Sequence, residues 1–490
     1  MKENNTSIMI PGAWFNKKFP KVAEKYGAPV LQESQNGVFT VKALREDFFA
    51  AALGELGHPD SPTVYLRIEQ RFYTYRPDKG IYQVESEDSL IARLSETLAE
   101  CAKACKGQFC NTETLEFRLS QTSSLRGIIQ RARGILEVSS DYFESSLQDH
   151  IPCENGVLRV ADKQLLPHSQ TFRRRNKLAV KYDPAATCPM FTDILLKQGL
   201  NDGDIELLQR WCGLVLVGTN LSQVILLLIG TSGGGKGTLT RVIMGIVGED
   251  NCVELRTSEL GGRFETASFL GKTLLYGADV KANFLNNFSA SYLKSLTGGD
   301  LLSVEIKGQT DRPRITGKFN IFATSNSQLM VNLECDKDAW MRRLIIIPFN
   351  KPKPEKVIVN LSEQILERES SGVLNWMLEG LDKIKQTGFV ITPTPEQLRV
   401  VENLLLESDS PKAFVSEMLV ADDKAQILAC ECYTAYSAYC KARDWKPFQS
   451  REASGKIIAA ISTEFGLSQR NDLLDGNGRS NRGWKGIRVK

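Results

Sequence analysis

The sequence predicts an α/β protein, with a P-loop core, an α+β region before it and a winged-helix-like domain at the C-terminal end. Three observations carry this. Leu226–Thr240 reads LLLIGTSGGGKGTLT, an apolar run, a glycine-rich turn and a helix start. From there to about Phe349, apolar strands alternate with helix-patterned stretches, the order of an α/β nucleotide-binding domain. The tail offers three helical stretches and then GNGRSNRGWKGIRVK over Gly476–Lys490, a glycine-rich basic hairpin.

A chain of 490 residues holds about three domains and more than one core. The expected divisions are residues 1–120 (N-terminal α+β region), 121–215 (hairpin and helical collar), 216–350 (core), 351–410 (helical extension and linker) and 411–490 (tail). A net charge of +3, from 61 basic and 58 acidic residues, excludes a chain-wide polyelectrolyte. Affinity for nucleic acid must therefore come from local basic patches. Eleven scattered cysteines, no secretory leader and no apolar run of about twenty residues point to a reduced protein of the cytoplasm, with no membrane partner. Cys101, Cys105 and Cys110 lack the companions a closed tetrahedral metal site needs and read as structural thiols. His58, His150 and His168 lie far apart and carry no expected catalysis.

Residues 1 to about 40 read as a flexible arm or a pair of short elements. From Val41 the apolar spacing of Ala43, Leu44, Phe48, Phe49, Ala52 and Leu53 suggests a helix. RFYTYRPDKGIYQV, Arg71–Val84, alternates around a turn and predicts a hairpin whose Phe72, Tyr75 and Tyr82 pack on helices near Asp88–Cys105 and Leu119–Leu136. Asn155-Gly156 marks a second hairpin. The triplet Arg173, Arg174 and Arg175 follows, read as part of a solvated edge strand, either a solubility device or a contact for DNA phosphates. Helical spacing resumes over Phe191–Leu200 and Asp204–Val217.

The glycine-rich turn fits G-x-x-x-x-G-K through Gly230, Gly235 and Lys236, with Thr231, Ser232, Gly233 and Gly234 between them. Such a loop, between a strand and a helix, gathers backbone N–H groups and a lysine on the phosphates of ATP. The next position, Gly237, lacks the usual hydroxyl, which arrives one place late as Thr238, the candidate magnesium ligand. LLYGADV, Leu274–Val280, is a second apolar strand ending in Asp279, where a carboxylate would orient magnesium-held or hydrolytic water. KFNIFATSN ends in Asn326, whose amide can reach the γ-phosphate. Arg342 and Arg343 stand before another apolar strand, LIIIPF, and could reach a nucleotide held by a neighbouring subunit. Between the second and third strands lies a hairpin with a basic tip, Lys307-Gly308, suited to a sugar–phosphate backbone.

This ordered set resembles the superfamily-3 helicases, with the Lys-x-x-TGGD segment at Lys294 completing the pattern. It is similar in particular to the phage, plasmid and poxvirus helicase–primase family. There, an ENG-v-L-r hairpin and a YDP-A-x-CP turn precede the core, here Glu154–Leu158, Tyr182–Ala185, Cys188 and Pro189. The likeness spans roughly residues 150–350. It implies an AAA+ fold, a ring of six subunits and ATP-driven 3′-to-5′ translocation on single-stranded or forked DNA. It also implies that Lys236 contacts the β/γ-phosphates, Asp279 serves magnesium and hydrolysis, and Asn326 senses the γ-phosphate. One of Arg342 and Arg343, with Arg342 favoured, would be the finger, and Lys307 would ride the DNA. Two departures touch metal ligation: Gly237, and a single acid where many relatives have two. The residues ahead of Gln121 show neither a D-x-D pair with a histidine nor a zinc module, so a separate primase is expected.

Beyond Pro352 and Pro354, Leu361–Thr387 reads as an amphipathic helix, TPTP as a linker, and Lys412–Leu419, Cys430–Arg443 and Gly455–Gly466 as three helices. With the hairpin carrying Arg479, Arg482 and Lys485 they suggest a winged helix gripping origin duplex DNA. The leading expectation is a replicative helicase of a mobile element in a bacterial host. An initiator that uses ATP as an assembly switch without processive unwinding is the alternative. A nucleotide kinase is disfavoured, because no lid-like arginine series follows the P-loop.

Overall fold

The computed structural model describes residues 14–35, 38–106, 121–145, 147–257, 259–281, 284–286, 290–308, 312–326, 329–331, 337–352, 358–443 and 445–490. At its centre is a five-stranded parallel sheet made of β1 (Ile225–Gly230), β2 (Cys252–Glu254), β3 (Leu274–Gly277), β4 (Asn320–Ser325) and β5 (Leu344–Phe349), in the order β2-β3-β4-β1-β5. A sheet of this kind is buried on both faces, so its strands are continuously apolar. Leu226, Leu228, Phe322 and Ile347 point to one face, against Trp211 and Leu214 of helix Asp202–Val217 and against helix α1 (Lys236–Val247). Ile225, Leu227, Ile321 and Ile346 point to the other, against Leu293, Trp340, Val401 and Leu404. Helix α2 (Leu361–Gln386) lies on the first face through Val373, Leu374 and Leu381. The stretch after TPTP is more than a linker: Thr394 caps a helix, Pro395–Ser408, that closes the second face.

Ahead of the core, strands Thr63–Leu66, Arg71–Arg76, Ile81–Glu85 and Glu137–Val138 form a four-stranded sheet. One face packs on helices Glu87–Cys105 and Thr122–Ile135, and Tyr73, Tyr75, Tyr82 and Phe143 cluster on the other. The Arg71–Val84 hairpin is present and Phe72, Tyr75 and Tyr82 are all buried, but only Phe72 packs on the helices. Tyr75 and Tyr82 lie on the opposite face of the sheet, against Phe143 and Tyr142, because alternate residues of a strand point to opposite faces. Residues Val38–Leu44 form a strand paired with Val30–Gln35, and the helix expected from Val41 begins only at Glu46. Cys101 and Cys105 are buried thiols on one helix, whereas Cys110 lies outside the described residues.

The arginine triplet does not form an edge strand. The sheet Gln164–Leu166, Gly156–Arg159 and His150–Cys153 ends before it. Arg174 is buried and donates to Ser145 O at 2.8 Å. Arg175 reaches Glu69 Oε1 at 2.6 Å, and Glu69 also accepts from Tyr73 Oη. Arg175 thus joins the collar to the N-terminal sheet and Arg174 is tied within the collar, so both guanidiniums are engaged inside the fold, while Arg173 lies over the Tyr142 ring. The inserted hairpin, Leu301–Ser303 paired with Arg314–Thr316, touches the N-terminal block through its backbone: Arg314 N–H donates to Ile68 O at 2.8 Å.

The tail runs helix Ser410–Met418, strand Leu419–Leu428, helices Ala429–Lys441 and Ser450–Phe465, and strands Arg470–Leu474 and Ser480–Val489. The last strand is central in a three-stranded antiparallel sheet. Phe414, Tyr436, Tyr439, Ile457 and Trp484 are its core, so the tyrosine stripe is packing. The first strand, interrupted by Asp422, Asp423 and Lys424, has no apolar alternation and was not expected. Among the described residues no helix is long and apolar enough to cross a membrane.

Candidate nucleotide-binding site

β1 pairs with β4 on one side and β5 on the other, and β3 flanks β4, so the loops after β1, β3 and β4 open on the same edge. Gly230 ends β1 at φ +157, where a Cβ would meet Phe349 O at 2.3 Å; only glycine allows the turn to leave the sheet there. Gly233 and Gly235 are left-handed, and α1 begins at Lys236 with its free N–H groups facing the turn. The loop residues Ser232–Thr238 line a cleft of about 480 Å³ together with Asp279, Thr324 and Asn326.

Lys236 is 6 % exposed and donates from Nζ to Gly230 O at 2.6 Å and Thr231 O at 2.9 Å. Burial pushes its ammonium down, and the nearby Asp279 carboxylate opposes that shift. Asp279 is itself left-handed, φ +47, a conformation an aspartate tolerates better than most residues. Its N–H donates to Thr324 Oγ1 at 2.9 Å and its Oδ1 accepts from Asn326 Nδ2 at 2.6 Å. The ends of β3 and β4 are thereby locked with both polar groups exposed at the cleft.

Ile194, Leu195, Pro352, Ile358 and Leu361 add aliphatic lining to the cleft, and Leu195 lies against the glycine-rich loop, where a Cβ on Gly235 would meet its Cδ1 at 3.2 Å. Ile194 and Leu195 belong to a π-helical turn, Met190–Leu196, a form that concentrates at functional sites. The Glu369 carboxylate of α2 accepts the Met190 and Phe191 N–H groups at 2.9 and 3.0 Å and holds the turn in place. The cleft thus combines backbone N–H donors and a lysine with aliphatic surface, the mixture of polar and apolar lining common to small-molecule sites.

Residues 64–197 match a family model described as "D5 N terminal like", and residues 228–343 match one described as a family of unknown function, DUF5906. No curated protein matches. Among solved structures, an A-form apo structure of the NrS-1 C terminal region is similar, at 13 % identity and a TM-score of 0.49, over 89 % of this chain and 98 % of that one. Two further apo structures of the same region give 12 % identity and TM-scores of 0.46 and 0.47, over 89 % of this chain and 99 % of theirs.

Of the residues singled out in the sequence, Gly230–Thr238, Asp279 and Asn326 come together. Arg342 and Arg343 do not: they precede β5, whose first residue pairs with Ile225 at the far edge of the sheet. Arg342 is exposed, whereas Arg343 is 8 % exposed and donates to Ala339 O at 3.3 Å. Lys307 and Gly308 are exposed on the inserted hairpin, and Arg479, Arg482 and Lys485 are exposed on the tail, all away from the cleft. Residues 309–311 of the hairpin lie outside the described residues. Arg241 of α1 and Leu361 of α2 also line the cleft; Arg241 was detectable in sequence only as the residue five places after Lys236.

The donor set fits magnesium. Asp279 supplies one carboxylate and Thr238 one hydroxyl at the cleft, enough for a cation that keeps waters and takes its other ligands from phosphates. Among the described residues no cluster of three or more His, Cys, Asp or Glu side chains offers an all-protein cage.

Proposed function

We propose that this chain is an ATP-driven replicative DNA helicase of a phage, plasmid or other mobile element, a superfamily-3 motor with an AAA+ core working as a ring of six. The observation that carries the reading is the meeting of Lys236, Asp279 and Asn326 at one edge of a parallel sheet whose P-loop strand is interior. The N–H groups of the loop and of the first turn of α1 bind the triphosphate, and Lys236 exchanges its loop carbonyls for β/γ oxygens. Asp279 and Thr238 would hold magnesium, which neutralises phosphate charge when bound. Asp279 orients the attacking water, and Asn326, hydrogen-bonded to it, registers the γ-phosphate. Arg342, remote from its own cleft, acts on the nucleotide of the next subunit.

DNA engagement is supported by exposed cations in two places. Lys307 on the inserted hairpin follows the single strand, and the tail, with its helix-strand-helix-helix-strand-strand order, supports a winged-helix reading in which Arg479, Arg482 and Lys485 contact duplex phosphates. A separate primase supplies primers. The test is phosphate release stimulated by single-stranded DNA and strand separation on a forked duplex, both abolished by Lys236→Ala. No stimulation, together with a monomer in the presence of nucleotide and DNA, would sink the proposal.

The cationic last strand of the tail favours one second reading, an initiator that assembles on duplex DNA under ATP control. ATP-dependent assembly on intact duplex without unwinding of a fork would select it.

A further inference from the structure

The glycine that follows Lys236 removes a hydroxyl, and a guanidinium stands next to it. α1 starts at Lys236, so Gly237 and Arg241 lie four residues apart on one helix face. Helical side chains lean toward the N-terminus, which carries Arg241 back over Gly237. A Cβ built on Gly237 would meet Arg241 Nη1 at 3.9 Å and nothing else within 4 Å.

The guanidinium is fixed from behind. Its Nε donates to Ser362 Oγ at 2.9 Å, and Ser362 Oγ donates in turn to Glu363 Oε2 at 2.8 Å. Ser362 is 1 % exposed in the first turn of α2, so the anchor is part of the packed interior. Arg241 itself is exposed and lines the cleft beside Lys236 and Thr238. A side chain held at Nε, with its Nη edge over the phosphate loop, has lost most of the freedom that would oppose binding. A planar guanidinium can take two phosphate oxygens at once, which an ammonium cannot.

We propose that Arg241 is a nucleotide ligand in cis, binding the polyphosphate of a nucleoside triphosphate beside Gly237. The proposal rests on the reading of the cleft as an ATP site. It makes the departure at Gly237 an exchange of a hydroxyl for a cation, and it ties the bound nucleotide to α2 through Ser362.

The experiment is equilibrium binding of a fluorescent ATP analogue to the full chain in magnesium buffer, with AMP and ADP as competitors. Arg241→Gln should weaken triphosphate binding roughly ten- to a hundredfold, the loss expected for a charge-assisted hydrogen bond to phosphate, and should change AMP competition far less. Circular dichroism melting of each variant shows that the fold is kept. Lys236→Ala separates the two claims. If Lys236→Ala abolishes binding while Arg241→Gln stays within twofold of the parent, the proposal falls and the ATP reading stands. If the parent binds no nucleotide, both fall.

Discussion

Asn326 Nδ2 donates to Asp279 Oδ1 at 2.6 Å, although the two residues are 47 apart in the chain. The bond joins the ends of neighbouring parallel strands and ties together two polar groups that face the cleft.

Asp279→Asn removes the carboxylate and keeps the shape. Steady-state phosphate release should fall by roughly two to three powers of ten, the scale of losing one preorganised polar group at a reacting centre. Nucleotide affinity measured by fluorescence should stay within a few-fold. An equal loss in both would mean that Asp279 serves binding and not turnover.

The adjacent arginines should separate cleanly. Arg342→Ala, at an exposed position, should cut DNA-stimulated turnover by about three powers of ten with no change in melting temperature. Mixing it with Lys236→Ala protein should restore part of the activity, because each supplies what the other lacks. Arg343→Ala removes a buried side chain that bonds Ala339 O and should cost roughly 1–3 kcal/mol in urea unfolding.

Glu69 and Arg175 form a buried pair, with side-chain exposures of 6 % and 21 %. Glu69→Ala should destabilise by about 3–5 kcal/mol, since Arg175 is left uncompensated. Burial alone would push the Glu69 carboxyl up, but Arg175 and the Tyr73 hydroxyl overcome it and hold the group below the ordinary 4.5. A depressed carboxyl contributes its stability above the unfolded value and loses it as the pH falls toward the folded one. The difference in unfolding free energy between parent and Glu69→Gln should therefore be constant above about pH 5 and shrink below 4.5. A difference that grows on acidification would contradict the assignment.

Arg479, Arg482 and Lys485 can be tested by salt. Replacing all three with glutamine should reduce the slope of log K against log salt for duplex DNA by roughly 0.9 for each phosphate that is no longer neutralised. The melting temperature should hold, because all three side chains are exposed. An unchanged slope would remove the tail from the DNA interface.

The cleft was largely legible because its signals are local. An apolar run, a glycine turn and a helix start specify the loop around Lys236, and Asp279 and Asn326 each end an apolar strand within a few residues. What sequence reading missed depends on distant partners. Arg174 and Arg175 look like a solvated cationic run until Ser145, Glu69 and Tyr73 arrive from other elements to bury them. Arg241 has no local mark, since its meaning comes from Ser362, more than a hundred residues onward. The strand Leu419–Leu428 pairs on one side only, with Ser480–Val489, and its charged middle hides the alternation that a half-buried strand would show.

The link between Arg314 N–H and Ile68 O is made by main-chain atoms at both ends. Nineteen of the twenty amino acids can donate from the exposed position 314, so the tie between hairpin and N-terminal block survives almost any substitution there, whereas the Ile68 side chain packs on the aromatic cluster of the N-terminal sheet. Proline at 314 is the exception. A saturation library at position 314 should leave a nearly flat fitness profile with a single deep notch, the mark of a joint that mutation can hardly reach.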